Sequence, residues 1–409
     1  MQCNSCGNTI NFRIGIGLAD EEKFVCQCPY CAVALRGVLR LDQKAGKSKL
    51  ESEDITDLHK DSVEGESTLR GVNIYTDLPV HRSCQGKSLA EGGSAFMQLW
   101  EFMGDRFPEY QSRAHLLHEF RLLVLPSIRR TASLYVAENW QDLGRSLKEL
   151  KLSDISGAAG QHPAYAFQRL FDSLYVPILD PDIRIPLTDE LLVNLNACTQ
   201  RHKEVFAAFL TRLFEQHGFG QFRRQVVETT AKCFSKFDAL VPALAYEHFT
   251  KEWAKRLDDF QIFRDDFDEL KSLYVDVFEL ASRSLVYTGG ISNLANRGSV
   301  TQWLDGKHRE LTPFLKARAV DREFVLNELP RLKALYDSIK RHTRNDIGHF
   351  KMYYDFATCC LIDEKGGKEN FILFLQDFLC AVRLTAYLVT LAEKVTLYRE
   401  RLIAHEPIR

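Results

Sequence analysis

Residues 370–405 read NFILFLQDFLCAVRLTAYLVTLAEKVTLYRERLIAH, and this stretch decides the fold class. Apolar residues recur along it at helical spacing, and part of the apolar side is marked by Phe371, Phe374, Phe378, Val382 and Leu388. The stretch therefore predicts one long helix that is amphipathic or buried. Charged residues interrupt its apolar runs before about 18 residues, so we expect no membrane span.

Upstream segments repeat the helical spacing over much of the chain. The ranges that show it most clearly are 95–122, 127–150 and 188–216, and similar patterns continue to about residue 285. Prolines 177, 181 and 186 predict an extended connector over 175–188, with Thr188 as the N-cap of the next helix.

Glycines mark two further breaks nearer the C-terminus. Gly289, Gly290 and Gly298 predict a loop over 288–306. The turn sequence Lys-Gly-Gly-Lys at 365–368 predicts a short hairpin just before the terminal helix.

The composition is that of an ordinary globular chain. Its 409 residues predict two to three domains, and 45% are hydrophobic and 26% charged. The net charge of −2 argues against non-specific attraction to phosphate, so any contact with RNA should be local. Met1 leads directly into a cysteine motif instead of a signal peptide, which predicts a cytoplasmic protein.

Five of the eleven cysteines lie in the first 31 residues. Two Cys-x-x-Cys pairs, Cys3 with Cys6 and Cys28 with Cys31, place four thiolates at the spacing that a tetrahedral zinc ion takes. The segment resembles a zinc ribbon, with Cys26 as a competing fifth thiol. A four-sulfur site is closed, so we expect structural zinc and no catalysis there. Whether the ribbon also docks nucleic acid or a partner stays open.

These features predict a mainly α protein, with helical bundle domains and a small N-terminal β zinc ribbon. The predicted divisions are a zinc ribbon at 1–40, a charged linker at 41–70, a helical middle domain at 71–265 and a helical C-terminal domain at 266–409.

The sequence with the clearest chemistry is Arg344-Asn345-Asp346-Ile347-Gly348-His349. Arg344 can stabilise a phosphate, His349 can move a proton near neutral pH, and Asn345 can orient either side chain. The spacing from arginine to histidine is weak evidence by itself, because 113–118 and 212–217 repeat it. Only the copy at 344–349 has an amide after the arginine and a glycine before the histidine.

The segment 344–349 resembles the signature of HEPN-superfamily ribonucleases, as do the tyrosines Tyr353 and Tyr354, the predicted hairpin and the terminal helix. The resemblance covers roughly 270–409. It implies a helical bundle, a symmetric homodimer with facing motifs, and metal-independent cleavage of RNA. Many members are toxins or antiviral defence proteins, which implies a regulatory or neutralising partner. One tyrosine could stack a base, and the other should be core.

Two alternatives remain open. In the first, the chain is a non-catalytic helical protein whose zinc ribbon serves binding to nucleic acid or to a partner. In the second it is a nucleotide-binding regulator, since some members of the superfamily bind nucleotides or have lost activity.

Overall fold

The computed structural model describes residues 1–17, 19–42, 46–56, 70–150, 163–339 and 352–403. Helices dominate these ranges and the strands form only small sheets, so the prediction of a mainly α fold with a small N-terminal β region is confirmed.

The two longest described helices, Phe267–Arg297 and Phe371–Ile403, both lie in the C-terminal half of the chain. In chain order the described helices are α1 Ala95–Met103, α2 Phe107–Leu123, α3 Leu125–Val136, α4 Trp140–Glu149, α5 Pro163–Tyr175, α6 Pro181–Arg201, α7 Lys203–Glu215, α8 Phe219–Phe234, α9 Leu240–Glu247, α10 Lys251–Ala254, α11 Phe267–Arg297, α12 Leu311–Leu315, α13 Ala319–Arg322, α14 Pro330–Asp337 and α15 Phe371–Ile403.

Most of the strands lie near the N-terminus or just before α15. They are β1 Gln2–Cys3, β2 Asn11–Ile14, β3 Glu21–Gln27, β4 Ala34–Asp42, β5 Lys47–Glu51, β6 Ile55–Thr56, β7 Gly71–Ile74, β8 Val80–His81, β9 Phe260–Gln261, β10 Met352–Asp355, β11 Cys360–Asp363 and β12 Lys368–Asn370.

Contacts divide the chain into two compact units, each assembled from three separate stretches. Unit 1 contains the described residues of Met1–His118, Lys236–Ser272 and His342–Leu379. Unit 2 contains those of Glu119–Ser235, Leu273–Arg341 and Cys380–Arg409. The serial domains 1–40, 41–70, 71–265 and 266–409 stay a prediction, because whether a stretch folds alone is a property that truncation measures.

The N-terminal strands of unit 1 form three small sheets, which extend beyond the predicted ribbon. Strands β3, β4 and β5 form an antiparallel meander, in which β4 continues to Asp42 and Leu39 lies opposite Leu50. Strand β6 pairs with β1, and β7 runs parallel to β2. Strands β5 and β6 lie inside the predicted charged linker, so an unpaired loop is wrong for these two segments, because backbone pairing organises their polar residues. The domain bounds 41–70 stay a prediction.

The proline-rich connector expected over 175–188 is also wrong, since α6 begins at Pro181. Its N-cap is Asp180, whose carboxylate accepts the Asp182 N–H at 2.9 Å, and not Thr188. Pro181 stands at the first helical position, where a missing N–H is harmless. Pro186 costs the helix one further bond, and the helix tolerates it.

The loop expected over 288–306 begins later than predicted, because α11 runs through Gly289 and Gly290 to Arg297. An added Cβ would lie 2.5 Å from Trp303 at Gly289 and 2.9 Å from Phe209 at Gly290. These glycines therefore permit close packing instead of a turn. Gly298, at φ +71°, does end the helix.

The predicted hairpin and terminal helix are confirmed. Strands β11 and β12 pair antiparallel across a turn that contains Gly366 at φ +79°, and α15 follows directly. Among the described residues, Phe371–Leu402 is the one stretch that passes a length-and-composition test for crossing a membrane, with mean hydropathy 1.7. Its most apolar window is 78% buried, and core helices pass the same test, so this is weak evidence for a span.

Candidate functional site: a four-thiol centre and a buried polar cluster

The two Cys-x-x-Cys turns of unit 1 have the same backbone geometry. The Gly7 N–H donates to the Cys3 carbonyl at 2.8 Å, and the Ala32 N–H donates to the Cys28 carbonyl at 3.0 Å. In each turn the residue after the second cysteine is left-handed, with φ +70° at Gly7 and +62° at Ala32. The four thiols therefore come from two equivalent turns.

The sheets bring these turns together. Cys3 lies on β1 opposite Ile55 of β6, and Cys28 directly follows β3. Two Sγ–Sγ distances, Cys3 to Cys31 and Cys6 to Cys28, are 3.9 Å, and all four sulfurs lie within 4.8 Å of one another. Metal–sulfur bonds of about 2.3 Å in a tetrahedron require sulfurs about 3.8 Å apart. Cys3, Cys6, Cys28 and Cys31 can thus hold a metal ion.

The surroundings of Cys6, which belongs to the cluster, differ from those of Cys26, which does not. Hydrogen bonding by Asn8, whose side-chain amide lies 3.4 Å from the sulfur, lowers the pKa of Cys6 to about 6 and favours the thiolate that binds metals. Cys26 is fully buried and outside the cluster, and burial raises the pKa of its thiol. Cys26 is therefore a core residue, and Cys28 belongs to the cluster that can hold a metal ion.

The predicted catalytic residues Arg344, Asn345 and His349 lie outside the described residues, with the rest of 340–351. The chain is described again from Met352, where β10 begins. Tyr353 is 61% exposed, whereas the Tyr354 hydroxyl donates to the Ile262 carbonyl at 3.0 Å and its ring packs on Phe371. Tyr353 is thus available for contact, whereas Tyr354 is half-buried and fixed by a backbone hydrogen bond.

A second polar constellation, which the sequence did not reveal, lies in unit 2. The Tyr135 hydroxyl donates to Glu393, and the Arg223 guanidinium lies over the Tyr135 ring at 4.7 Å. Arg223 also donates to Glu138 at 3.0 Å. Phe167 stacks on the other face of the Tyr135 ring, with centroids 4.1 Å apart. We call Tyr135, Arg223 and Glu393 the buried polar cluster.

Burial governs the protonation of the buried polar cluster. Tyr135, Arg223 and Glu393 are 1%, 7% and 8% exposed. Burial raises the pKa of Glu393 to about 7, against the opposing effects of the Tyr135 hydrogen bond and the Arg223 charge. Glu393 therefore changes its charge near neutral pH, where an exposed glutamate is fully ionised.

Comparison of the chain with protein families, with curated proteins and with solved structures found no match.

Proposed function

We propose that this protein is a metal-independent endoribonuclease of the HEPN type, with Arg344, Asn345 and His349 as its catalytic residues. The observation that carries the proposal is the sequence 344–349 together with its neighbours along the chain. Support comes from the order that follows the motif, in which β10, the β11–β12 hairpin and the 33-residue helix α15 succeed one another. The HEPN resemblance implies the same order.

The chemistry needs few groups. Cleavage of RNA by its own 2′-hydroxyl requires a base, an acid for the leaving 5′-oxygen and relief of the charge on the phosphate. In this proposal His349 transfers protons, Arg344 stabilises the phosphate and Asn345 orients one of them. One histidine per chain supplies only one proton-transfer group. A homodimer with facing motifs would supply two.

The metal in this proposal is zinc, because four thiolates are its usual structural ligand set. Its function would be to hold the small N-terminal sheets together, since a closed site leaves no coordination position for substrate. We further propose that the protein acts in the cytoplasm as a toxin or anti-phage effector, restrained by a regulatory or neutralising protein.

The test is cleavage of a defined single-stranded RNA by the purified full-length chain in the presence and absence of EDTA. The wild type should release fragments with 2′,3′-cyclic phosphate ends, and His349→Ala and Arg344→Ala should lower the rate by at least about 100-fold. His217→Ala is a matched control, because His217 also stands five residues after an arginine. This control should cleave like the wild type.

Two results would contradict the proposal. One is equal cleavage by the wild type and His349→Ala, and the other is no cleavage by the wild type across the RNAs tested. If His349→Ala kept the function while Cys28→Ser abolished it, the non-catalytic binding protein would be favoured instead.

A further inference from the structure

A cavity of about 480 Å³ lies beside the buried polar cluster, entirely within unit 2. Its volume falls in the range of small-molecule sites. Helices α3, α4, α5, α8 and α15 all contribute to its lining. Five helices that converge on one cavity can position polar groups more rigidly than a surface loop can.

The lining residues from α15 share one helical face. Glu393, Glu400 and Arg401 stand at positions i, i+7 and i+8, which are neighbours on a helix of 3.6 residues per turn. Arg401 donates to the Tyr165 hydroxyl at 3.0 Å, and this bond holds the guanidinium at the cavity. The same residue thus combines a positive charge with a fixed position.

The second cation of the cavity is Arg223, which is 93% buried. It donates to Glu138, but within the described part of the chain its Nε has no hydrogen-bond partner. That Nε has no accessible surface, so a ligand in the cavity would approach the remaining nitrogens of the guanidinium. Carboxylates and phosphates are the acceptors that match a guanidinium best.

Aromatic side chains form another part of the cavity lining. Trp140 and Tyr165 line the cavity, and Tyr165 is 42% exposed. Tyr135 also lines it, but Phe167 and Arg223 already cover both faces of its ring. Trp140 and Tyr165 are the other two aromatic side chains of the lining.

We propose that this cavity binds a small ligand that carries an anionic group, phosphate or carboxylate, on a planar ring. The anionic group lies towards Arg223 and Arg401, and the ring packs against Trp140 and Tyr165. This site is independent of RNA cleavage and is tested by binding alone.

The experiment is a titration of the full-length chain with phenyl phosphate, benzoate, inorganic phosphate and benzyl alcohol, followed by thermal shift and calorimetry. We expect saturable binding of phenyl phosphate or benzoate, and the stronger of the two identifies the anionic group. Inorganic phosphate lacks the ring and benzyl alcohol lacks the anionic group. Each should therefore bind at least about tenfold more weakly.

Two variants locate the binding. Arg401→Gln should weaken the binding of phenyl phosphate and benzoate roughly tenfold. Tyr165→Leu should weaken their binding more than that of inorganic phosphate, because it removes the aromatic ring as well as the hydroxyl that positions Arg401. The control is Arg283→Gln, an arginine that lines a separate cavity of about 490 Å³ in unit 2. It should bind like the wild type.

The proposal is overturned if none of the four probes binds saturably. It is also overturned if Arg283→Gln weakens binding while Arg401→Gln does not, because the ligand would then occupy the other cavity.

Discussion

The four-thiol centre of unit 1 and the buried polar cluster of unit 2 are assembled in opposite ways. The thiols come from two short turns within the first 31 residues, and each turn fixes its own geometry. The polar cluster joins residues as far apart as Tyr135 and Glu393, 258 positions along the chain, and exists only once the helices have packed. Local spacing can therefore reveal the first site from the sequence, whereas the second has no local signature.

The two sites also differ in what holds their side chains together. Four thiolates close together repel one another and need a cation to hold them, so the thiol centre depends on a ligand. The buried polar cluster is held by its own hydrogen bond and ring contact. Removal of one cysteine should therefore abolish the four-thiol centre. Removal of one side chain of the buried polar cluster should only weaken that cluster.

The largest expected effect is that of Cys28→Ser on metal binding. Structural zinc contributes roughly 10–16 kcal/mol in small peptides, so loss of one thiolate should release the metal and unfold the small N-terminal sheets. Metal content per chain and limited proteolysis measure the two consequences. Cys26→Ala is the matched control, because Cys26 lies two residues away and is outside the cluster. Retention of one metal per chain by Cys28→Ser, or its loss from Cys26→Ala, would contradict the ligand set.

A smaller effect is expected from Glu393→Gln on the pH dependence of stability. The pKa of Glu393 is raised from 4.5 to about 7, so the folded state binds a proton that the unfolded state has lost. Its contribution to stability is present below pH 4.5 and is lost as the pH rises through 7, by about 3 kcal/mol at most. The variant should therefore lose less stability than the wild type between pH 5 and pH 8 in urea unfolding.

Glu400→Gln is the control for this pH experiment, because Glu400 is an exposed carboxylate on the same helix. Its curve should follow that of the wild type. Some pH dependence should persist in Glu393→Gln, since burial also raises the pKa of Glu22 in unit 1 to about 7. If Glu393→Gln and the wild type have equal slopes, burial does not control the charge of Glu393.

Tyr135→Phe tests the hydrogen bond inside the buried polar cluster. The variant keeps the ring between Phe167 and Arg223 but removes the donor to Glu393. We expect a loss of about 1–3 kcal/mol in the free energy of unfolding, larger at pH 8 than at pH 5, because the ionised carboxylate depends more on the donor. Urea unfolding at both pH values measures it. A loss that is equal at both values would mean that the hydroxyl does not bond to the carboxylate.

How much the sequence could predict follows the same division between local and distant causes. The long helix α15, the hairpin before it and the four thiols were predicted, because each depends on spacing within a few tens of residues. The errors at Pro181 and at Gly289–Gly290 arose where packing or helix position changed the meaning of a residue. Proline usually indicates the end of a helix, but it is compatible with the first turn of one. Glycine also usually indicates a helix end, but Gly289 lies inside a helix because it allows Trp303 to pack closely.

The smallest predicted effect compares the two turns of the thiol centre with each other. Gly7 and Ala32 occupy equivalent left-handed positions, but only Ala32 has a Cβ there. A left-handed backbone conformation costs a non-glycine residue about 1–2 kcal/mol. Glycine avoids this cost, but it loses more conformational entropy on folding, which offsets part of the gain. Ala32→Gly should therefore strengthen metal retention by about 1 kcal/mol, measured as slower or weaker transfer of the metal to a coloured chelator. Gly7→Ala should weaken it by a similar amount, because the space around Gly7 is open and only the backbone conformation opposes the methyl group. If the two substitutions changed metal retention in the same direction, the two turns would not share one backbone geometry. That shared geometry is what allowed the four-thiol centre to be predicted from the Cys-x-x-Cys spacing.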